Sequence, residues 1–531
     1  MLFNSFAFIF LYLPLVFAGM FLIGRHNHRL AALWLGAASV AFYAVWDVRF
    51  VLLLLGSVCF NYGAGYWIGL SRNAHENKKA KLFLVVAIGC NLMLLGYFKY
   101  ANFMVVTANQ VFGLKIPGLD IIMPLGISFF TFTQIAFLAD VHRGHAHEYR
   151  FIHYLLFVTY FPHLIAGPIL HHKQMMPQFA NPAIYRINVE HVAVGLTAFV
   201  IGLAKKVLIA DNLAEYATPV FNAVHDGRVL MLFEAWVGAL SYTLQLYFDF
   251  SGYSDMAIGL SLMLNIRLPL NFNSPYKAAN IIDFWRRWHM TLSMFLRDYL
   301  YIPLGGNRKG PARRYLNLMA TMLLGGLWHG AGWTFIFWGG LHGLYLTINH
   351  GWHQLKGRLG WGEGGRLAKI AGGGITFLAV VVAWVFFRAD SLGSAWSVLR
   401  GMAGMNGVSL PVTIQSATAP LVQGFASSHV VFQGLAPNTV VSPVGASMSI
   451  AIGLALVWLF PNAREILADY RPAWDDMAGG KTREAAPGGR MARALHWKLD
   501  YRHAISAGML LFFALFFMAS NKVSEFLYFQ F

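Results

Sequence analysis

One histidine in this sequence lies in an apolar setting where an ionisable side chain is unusual. It is His329, in the run Leu327-Trp328-His329-Gly330. Helical spacing of about 1.5 Å per residue from Tyr315 places it about 21 Å from a basic loop, inside the hydrocarbon of a membrane. A histidine there needs a partner or a wet cavity, and an imidazole can accept or release a proton near neutral pH. The pattern alone is compatible with a proton-transferring group and with a core histidine satisfied by a neighbour.

A second group of polar residues begins at Asn280 and contains another histidine, His289. Asn280 followed by Asp283 resembles a capping box, which predicts that a helix starts there. Apolar and charged residues then fall on different faces, which predicts an amphipathic helix at the cytoplasmic interface with His289 at the boundary. The apolar face comprises Trp285, Trp288, Leu292, Phe295, Leu296 and Tyr299, and the charged face comprises Asp283, Arg286, Arg287 and Arg297. Asp283 precedes Arg287 by four residues, so this pair can simply stabilise the helix.

A third group of polar residues, Asp249, Tyr253 and Asp255, lies in the apolar segment 231–262. Carboxylates within a membrane segment are costly and often mark function. Two interpretations remain open for them. The side chains line a polar funnel, or they pair with basic residues and hold helices together.

The elements that must position these residues are membrane-spanning helices. The chain of 531 residues is 57% hydrophobic and only 12% charged, and apolar runs recur from one end to the other. Each run of about 20 residues can cross a bilayer as a helix, so we expect an all-α polytopic protein with about 11–13 membrane segments. The candidate crossings are 3–23, 30–47, 50–70, 82–101, 121–140, 151–171, 191–210, 231–262, 315–329, 332–350, 370–388, 446–461 and 504–520.

Some of these segments do not have the pattern of one unbroken apolar helix that crosses the membrane. Helix breakers follow Phe161 at Pro162, Gly167 and Pro168, and the segment 231–262 is rich in polar residues. Interrupted backbone at membrane depth is tolerated where it lines a cavity or packs against protein. We therefore expect one transmembrane domain, 1–531, with re-entrant or broken helices around a central funnel.

The formal net charge of +17 would suggest nucleic acid as a partner of a soluble protein. Here the basic residues gather in short loops, which is typical of the cytoplasmic side of a membrane protein, so we expect no nucleic acid. This rule predicts cytoplasmic loops at 25–29, 71–81, 305–314, 351–369 and 461–503. It also predicts an uncharged exported loop at 401–445, and the composition of 471–493 predicts a flexible cytoplasmic loop. His142, His145 and His147 lie in a loop with arginines, and we expect no metal site there.

The central motifs resemble those of the membrane-bound O-acyltransferase (MBOAT) family, in its bacterial branch of alginate-type polysaccharide O-acetylases. The resemblance rests on Trp328-His329-Gly330, on Phe284-Trp285-Arg286-Arg287-Trp288-His289 and on Arg297-Asp298-Tyr299-Leu300-Tyr301-Ile302-Pro303. It implies the MBOAT fold around the funnel, and it makes His329 the near-invariant catalytic histidine and His289 the second polar position of the site.

The resemblance also implies a reaction. A hydroxyl is a weak nucleophile, and His329 would take its proton as it attacks an acyl thioester. His289 would orient the acceptor or stabilise the oxyanion. Acetyl-CoA would be the donor substrate, with no bound cofactor and no metal. Donor phosphates could meet Arg286, Arg287, Arg308 and Lys309, although these residues also fit a plain positive-inside role. Trp285 and Trp328 would line the funnel with Asp249, Tyr253 and Asp255.

The C-terminal tail 524–531 ends in aromatic residues, which composition alone allows as an interfacial anchor in the membrane lipid. Relatives carry a similar ending, and by that resemblance Tyr528 becomes a candidate acyl relay. The expected product is an O-acetylated exported polysaccharide, made at the bacterial inner membrane with a periplasmic esterase-like (SGNH-type) acetyltransferase partner. Three alternatives remain: an acyltransferase acting on peptidoglycan, a transporter or flippase for a lipid-linked saccharide, and a scaffold for an extracytoplasmic complex.

Overall fold

The structure, a computed structural model, describes residues 1–146, 150–165, 167–362, 364–414, 430–439, 441–474, 490–520 and 524–527. The segments 401–445, 471–493 and 524–531 fall only partly within these ranges, and Tyr528 and His147 lie outside them. The exported, flexible and anchoring character of those segments therefore stays a prediction.

The regular secondary structure of the described residues is almost entirely helical, which confirms the all-α prediction. The first half of the chain forms α1 Leu13–Gly24, α2 His28–Ala44, α3 Arg49–Asn73, α4 Asn77–Leu95, α5 Ala101–Phe112, α6 Ile127–Arg143, α7 Phe151–Thr159, α8 Phe161–Leu164, α9 His172–Ala180, α10 Val189–Ala204 and α11 Asp211–His225. The second half forms α12 Leu232–Met263, α13 Ile281–Trp285, α14 Met290–Leu296, α15 Gly310–His329, α16 Trp333–Arg358, α17 Arg366–Arg388, α18 Leu392–Met402, α19 Pro443–Leu459, α20 Ala463–Ile466, α21 Arg490–Ala494 and α22 Tyr501–Ser520. Two short strands, β1 Val408–Ser409 and β2 Val430–Val431, pair in parallel.

Four π-helical turns adjoin these helices, at Phe8–Tyr12, Gly96–Tyr100, Lys205–Ala210 and Arg297–Tyr301. Such a turn is uncommon and often marks a functional position, because the extra residue re-aims the side chains beside it. Two of the turns carry lysines, the half-buried Lys99 and the buried Lys206. Lys99 contacts the helix end that carries His329, and Lys206 contacts residue Ser524 near the C-terminus.

Five helical segments in the described part of the chain are long and apolar enough to cross a membrane, and two shorter apolar helices accompany them. The five are Arg49–Asn73, Asn77–Phe112, Val189–His225, Arg366–Arg388 and Tyr501–Ser520, and the two are Phe8–Gly24 and Pro443–Leu459. These helices agree with a polytopic membrane protein. The larger number of crossings expected from the sequence remains a prediction.

The expectation of a broken segment at 231–262 is wrong, because α12 is one continuous helix of 32 residues. Its carboxylates do not require a break, since lysines of the neighbouring π turn neutralise them. The Lys205 ammonium lies 2.6 Å from Asp255, and the Lys206 ammonium lies 2.7 Å from Asp249. The interruption expected after Phe161 is confirmed, because the four-residue α8 follows α7 and irregular backbone leads on to α9.

Helix α12 lies at the centre of the bundle and packs closely on α10. A Cβ atom at Gly259 would lie 2.4 Å from the carbonyl oxygen of Gly195 and 2.5 Å from the amide nitrogen of Phe199. A Cβ atom at Gly202 would lie 2.5 Å from the carbonyl oxygen of Gly252. The two backbones therefore touch along two helical turns, and this contact brings the lysines after α10 to the carboxylates of α12.

We predict that Gly259→Val destabilises the protein, because a side chain at this position forces α10 and α12 apart. Overpacking of this kind costs about 1–3 kcal/mol, measurable as a lower melting temperature of the detergent-purified protein. Gly56→Val is the matched control, since no atom lies within 4 Å of a Cβ at Gly56 in α3. Equal melting temperatures of the two variants would contradict the prediction.

Candidate active site

His329 is the last residue of α15, at the end opposite to Arg308 and Lys309. The helix begins at Gly310, directly after Arg308 and Lys309, and contains 20 residues. Such a helix is about 30 Å long, so one helix length separates His329 from those basic residues. The side chain is buried, and Gly330 leaves the helix in an extended conformation. The structure thus separates His329 from the basic loop by one helix, and its depth in the membrane stays a prediction.

The structure brings His289 next to His329, with 6.3 Å between the two ring centroids. His289 is fully buried and adopts a left-handed backbone conformation with φ 41°. Its Nδ1 lies 3.1 Å from the side-chain oxygen of Asn271. Because that oxygen is an acceptor, this contact requires the proton on Nδ1 and leaves the lone pair of the neutral ring on Nε2.

The prediction of one continuous amphipathic helix through His289 is wrong. Helix α13 ends at Trp285, and α14 begins at Met290. Asn271 explains the break, because its carbonyl oxygen accepts the Met290 N–H at 2.9 Å and its side-chain oxygen accepts the Thr291 hydroxyl at 2.8 Å. The predicted helix start is confirmed, since the Asn280 side chain accepts the Asp283 N–H.

Aromatic rings surround the histidine pair. His329 contacts Trp328, Trp338 and Phe387, at centroid distances of 4.9, 5.1 and 5.4 Å. His289 contacts Phe250 edge-on at 4.9 Å. These rings limit where water can reach the two imidazoles, so a bound hydroxyl would compete with little solvent.

A pocket of about 570 Å³ reaches His329. It is lined by Trp46, Lys99, Met123, Pro124, Leu125, Gly126, Ile127, Ser128, Phe129, Ile165, Trp328 and His329. The lining includes two exposed residues. Trp46 follows α2, and Met123 precedes α6. A passage therefore leads to His329 from this side of the molecule, which the predicted topology makes the exported side.

Lys99 and Tyr100 cap the helix that carries His329. The Lys99 ammonium donates to the carbonyl oxygens of Trp328 and His329 at 2.6 and 3.2 Å, and the Tyr100 hydroxyl donates to that of Leu327 at 2.9 Å. The last carbonyls of a helix lack partners within it and attract positive charge. Sequence reasoning missed Lys99, although a lone lysine in the apolar run 82–101 was a signal.

The residues predicted to bind donor phosphates lie at or near the surface. Arg286, Arg308 and Lys309 are exposed, whereas Arg287 is half-buried. The Arg287 Nε lies 2.8 Å from Asp283, which is the stabilising ion pair that their spacing indicated. The exposed cations are available to an anionic ligand.

The predicted funnel residues occupy different places. Trp328 lines the pocket with His329. Tyr253 lines a second pocket, of about 300 Å³, beside the chain's N-terminus. Asp249 and Asp255 form the ion pairs described above, and Trp285 packs against Trp338 at 6.0 Å between centroids.

The second pocket adjoins an ion cluster that holds residues 524–527 of the tail. The Lys206 ammonium contacts two carboxylates, Asp249 at 2.7 Å and Asp211 at 2.8 Å. It also donates to the Ser524 hydroxyl at 2.7 Å and to the Glu525 carbonyl at 3.1 Å. Asp249 also accepts the Leu527 N–H at 2.9 Å. Buried charges need such partners at membrane depth, so this segment of the tail is bound within the protein.

Comparison with known proteins identifies the class of this site. Residues 33–387 match the family model of the membrane-bound O-acyltransferases. The chain therefore belongs to the MBOAT family and is an O-acyltransferase of the membrane. This assignment confirms the resemblance noted in the sequence, and it argues against a transporter and against a plain scaffold.

Relatives extend the comparison over most of the chain. The protein is 46% identical over 437 residues to the peptidoglycan O-acetyltransferase of Helicobacter pylori, covering 77% of this chain and 81% of that protein. It is 46% identical over 409 residues to the probable alginate O-acetylase AlgI of Pseudomonas aeruginosa, covering 76% and 75%. The teichoic acid D-alanyltransferase of Bacillus subtilis is 27% identical over 281 residues, covering 51% and 70%.

We predict that Lys99→Met slows acyl transfer, because the last carbonyls of α15 lose a charged donor. Hydrogen bonds to charged groups contribute about 1.5–3 kcal/mol, which corresponds to at least a tenfold change in rate if the loss falls on the transition state. The measurement is the turnover of thioester by purified protein. Lys115→Met, at an exposed position, is the control, and equal turnover by the two variants would contradict the prediction.

Proposed function

We propose that this protein takes acetyl from cytosolic acetyl-CoA and passes it across the bacterial inner membrane for O-acetylation of an exported polysaccharide, alginate-like or of another kind. The observation that carries the proposal is the pairing of His289 with His329 at 6.3 Å between ring centroids, with His329 at the wall of a pocket. The identity to alginate O-acetylases supports the polymer class.

The two histidines have different roles in the proposed reaction. His329 accepts the proton of a hydroxyl as its oxygen attacks the acetyl carbonyl, so that a carbon–oxygen bond forms and the carbon–sulfur bond breaks. The proton then leaves with the thiolate of coenzyme A. Because Asn271 holds the proton of His289 on Nδ1, the lone pair on Nε2 can accept a hydroxyl hydrogen bond and orient the acceptor.

The donor and the acceptor approach from opposite sides in this proposal. Arg286, Arg287, Arg308 and Lys309 would meet the donor phosphates at the basic face, which the charge distribution predicts to be cytosolic. The acceptor would use the pocket beside Trp46 at the other face. A periplasmic esterase-like partner of the SGNH type would receive the acetyl group there and deliver it to the polymer.

Tyr528 would carry the acetyl group between the histidine pair and this partner. The support comes from the residues before it, because Phe526 is buried against Phe250 at 5.6 Å between centroids, and Phe250 contacts His289. A residue of extended chain spans at most about 3.6 Å, so the four residues after Leu527 reach at most about 14 Å. Residues 524–527 are thus bound within the protein near the site, which supports a relay rather than a membrane anchor.

A second candidate acceptor is peptidoglycan. The relative from Helicobacter pylori, which is 46% identical over 437 residues, is a peptidoglycan O-acetyltransferase. Both polymers offer sugar hydroxyls on the exported side, and the same site chemistry serves either. Measuring acetyl esters separately in cell-wall and exopolysaccharide fractions of a deletion strain distinguishes the two acceptors.

We predict that His329→Ala lowers product acetylation by about 10²–10⁴-fold, the usual contribution of a general base. The measurement is the ester-linked acetate of the isolated polymer in a strain that carries the variant. His26→Ala, at an exposed position, is the matched control. Normal acetylation in the His329→Ala strain would refute the proposed role.

We predict that Tyr528→Phe abolishes acetylation of the final polymer, because phenylalanine has no hydroxyl to form the acetyl ester. The folded protein should retain its melting temperature. Tyr501→Phe, at an exposed position at the start of α22, controls for loss of a tyrosine hydroxyl. Full acetylation of the polymer by the Tyr528→Phe strain would remove the relay from the mechanism while leaving His329 in place.

A further inference from the structure

The loop between α12 and α13 contains Asn271, which positions the backbone and the ring of His289. Asn271 is fully buried. Its side-chain oxygen accepts the Thr291 hydroxyl at 2.8 Å and lies 3.1 Å from the His289 Nδ1. Its backbone carbonyl accepts the Met290 N–H at 2.9 Å. The position of this one residue therefore determines where the His289 ring lies and which of its nitrogens carries the proton.

A segment from a distant part of the chain contacts this loop on both sides of Asn271. The segment comprises residues 462–474, which lie after α19, and is called the clasp here. The Trp474 N–H donates to the Leu268 carbonyl at 2.8 Å, and Trp474 forms a parallel β-bridge with Pro269. Both contacted residues precede Asn271. The clasp therefore holds the backbone of the loop on its N-terminal side.

The C-terminal side of the loop is held by the side chain of Asn462. Its amide nitrogen donates to the Asn273 side-chain oxygen at 3.1 Å and to the Ser274 hydroxyl at 2.9 Å. Both N–H groups of the amide are therefore used. The side-chain oxygen of Asn462 accepts the Glu465 N–H and caps α20. The donors of this residue thus bind the loop, whereas its acceptor serves its own helix.

The backbone of this region explains why the loop needs such support. Ser274 adopts a left-handed conformation with φ 48°, and His289 does so with φ 41°. Residues other than glycine rarely adopt this conformation, and it persists where the surrounding contacts hold it. The loop also contacts the site directly, since the Asn273 N–H donates to the Arg287 carbonyl at 3.0 Å. A loop that loses the clasp can therefore relax and carry Asn271 away from His289.

We infer that Asn462 is a positioning residue for acyl transfer, which acts on His289 through the loop and Asn271. This inference rests on the proposed role of His289. It extends the functional site to the clasp, which lies within the segment 461–503 that the charge distribution predicts to be cytoplasmic. Asn462 and its partner Asn273 are 189 residues apart in the sequence. The geometry of the site thus depends on a segment that does not belong to its motifs.

The test is a double-mutant cycle of Asn462→Ser and His289→Ala in the detergent-purified protein. A serine hydroxyl still caps α20, but serine has no amide that donates to the loop. We expect Asn462→Ser to lower the kcat of thioester consumption about tenfold, because His289 is misplaced, and to change the KM for acetyl-CoA less than about threefold. The same substitution in the His289→Ala protein should cause no further loss, because both changes remove one function.

Asn188→Ser is the matched control, because Asn188 is exposed and caps α10 with its side-chain oxygen. Melting temperatures report the folding of every variant. Trp474→Pro tests the same loop through an independent contact, since proline has no N–H to donate, and its kcat should also fall. An unchanged kcat in folded Asn462→Ser protein, or losses that add in the double variant, overturn the inference.

A different result challenges the proposed role of His289 instead. Full turnover by folded His289→Ala protein shows that this ring is not needed, and the positioning inference then fails with it. A loss of turnover in His289→Ala without a loss in Asn462→Ser refutes the positioning inference alone. Ester-linked acetate of the isolated polymer, measured in strains that carry the same variants, repeats the cycle independently of the donor's identity.

Discussion

The structure depends on one constraint, that polar and charged groups at membrane depth must find partners within the protein. Lys206 satisfies it with two carboxylates and the tail, and Lys205 satisfies it with Asp255. Lys99 satisfies it with backbone carbonyls at the end of α15. Each of these solutions joins segments that are distant in the sequence, so the same contacts that neutralise a charge also determine which helices meet.

The active-site region shows what happens where that constraint is relaxed. Around His329 and His342 the side chains are aromatic, and several of their nitrogens have no partner among the described residues. Tyr242 and Tyr253 of α12, on the side of Asp249, also have hydroxyl groups without a hydrogen-bond partner among the described residues.

Close helix packing and the candidate active site are linked through α12. Its glycines allow α10 to approach, and the lysines after α10 then reach Asp249 and Asp255. The same helix presents Phe250 to His289 and Tyr253 to Phe526 of the tail. One buried helix therefore contacts His289 on one face and residues 526 and 527 on another.

The sequence by itself determined the membrane class and most of the helices, because these depend on local composition and helical spacing. His329 and His289 became candidates for chemistry through the family resemblance of their motifs. Only the tertiary structure decided that α12 is unbroken, that Asn271 interrupts the helix at His289, and that Lys99 caps α15. The physical reason is distance along the chain, because Lys99 and the carbonyl of Trp328 are 229 residues apart. No local pattern reports which partner a buried polar group will find.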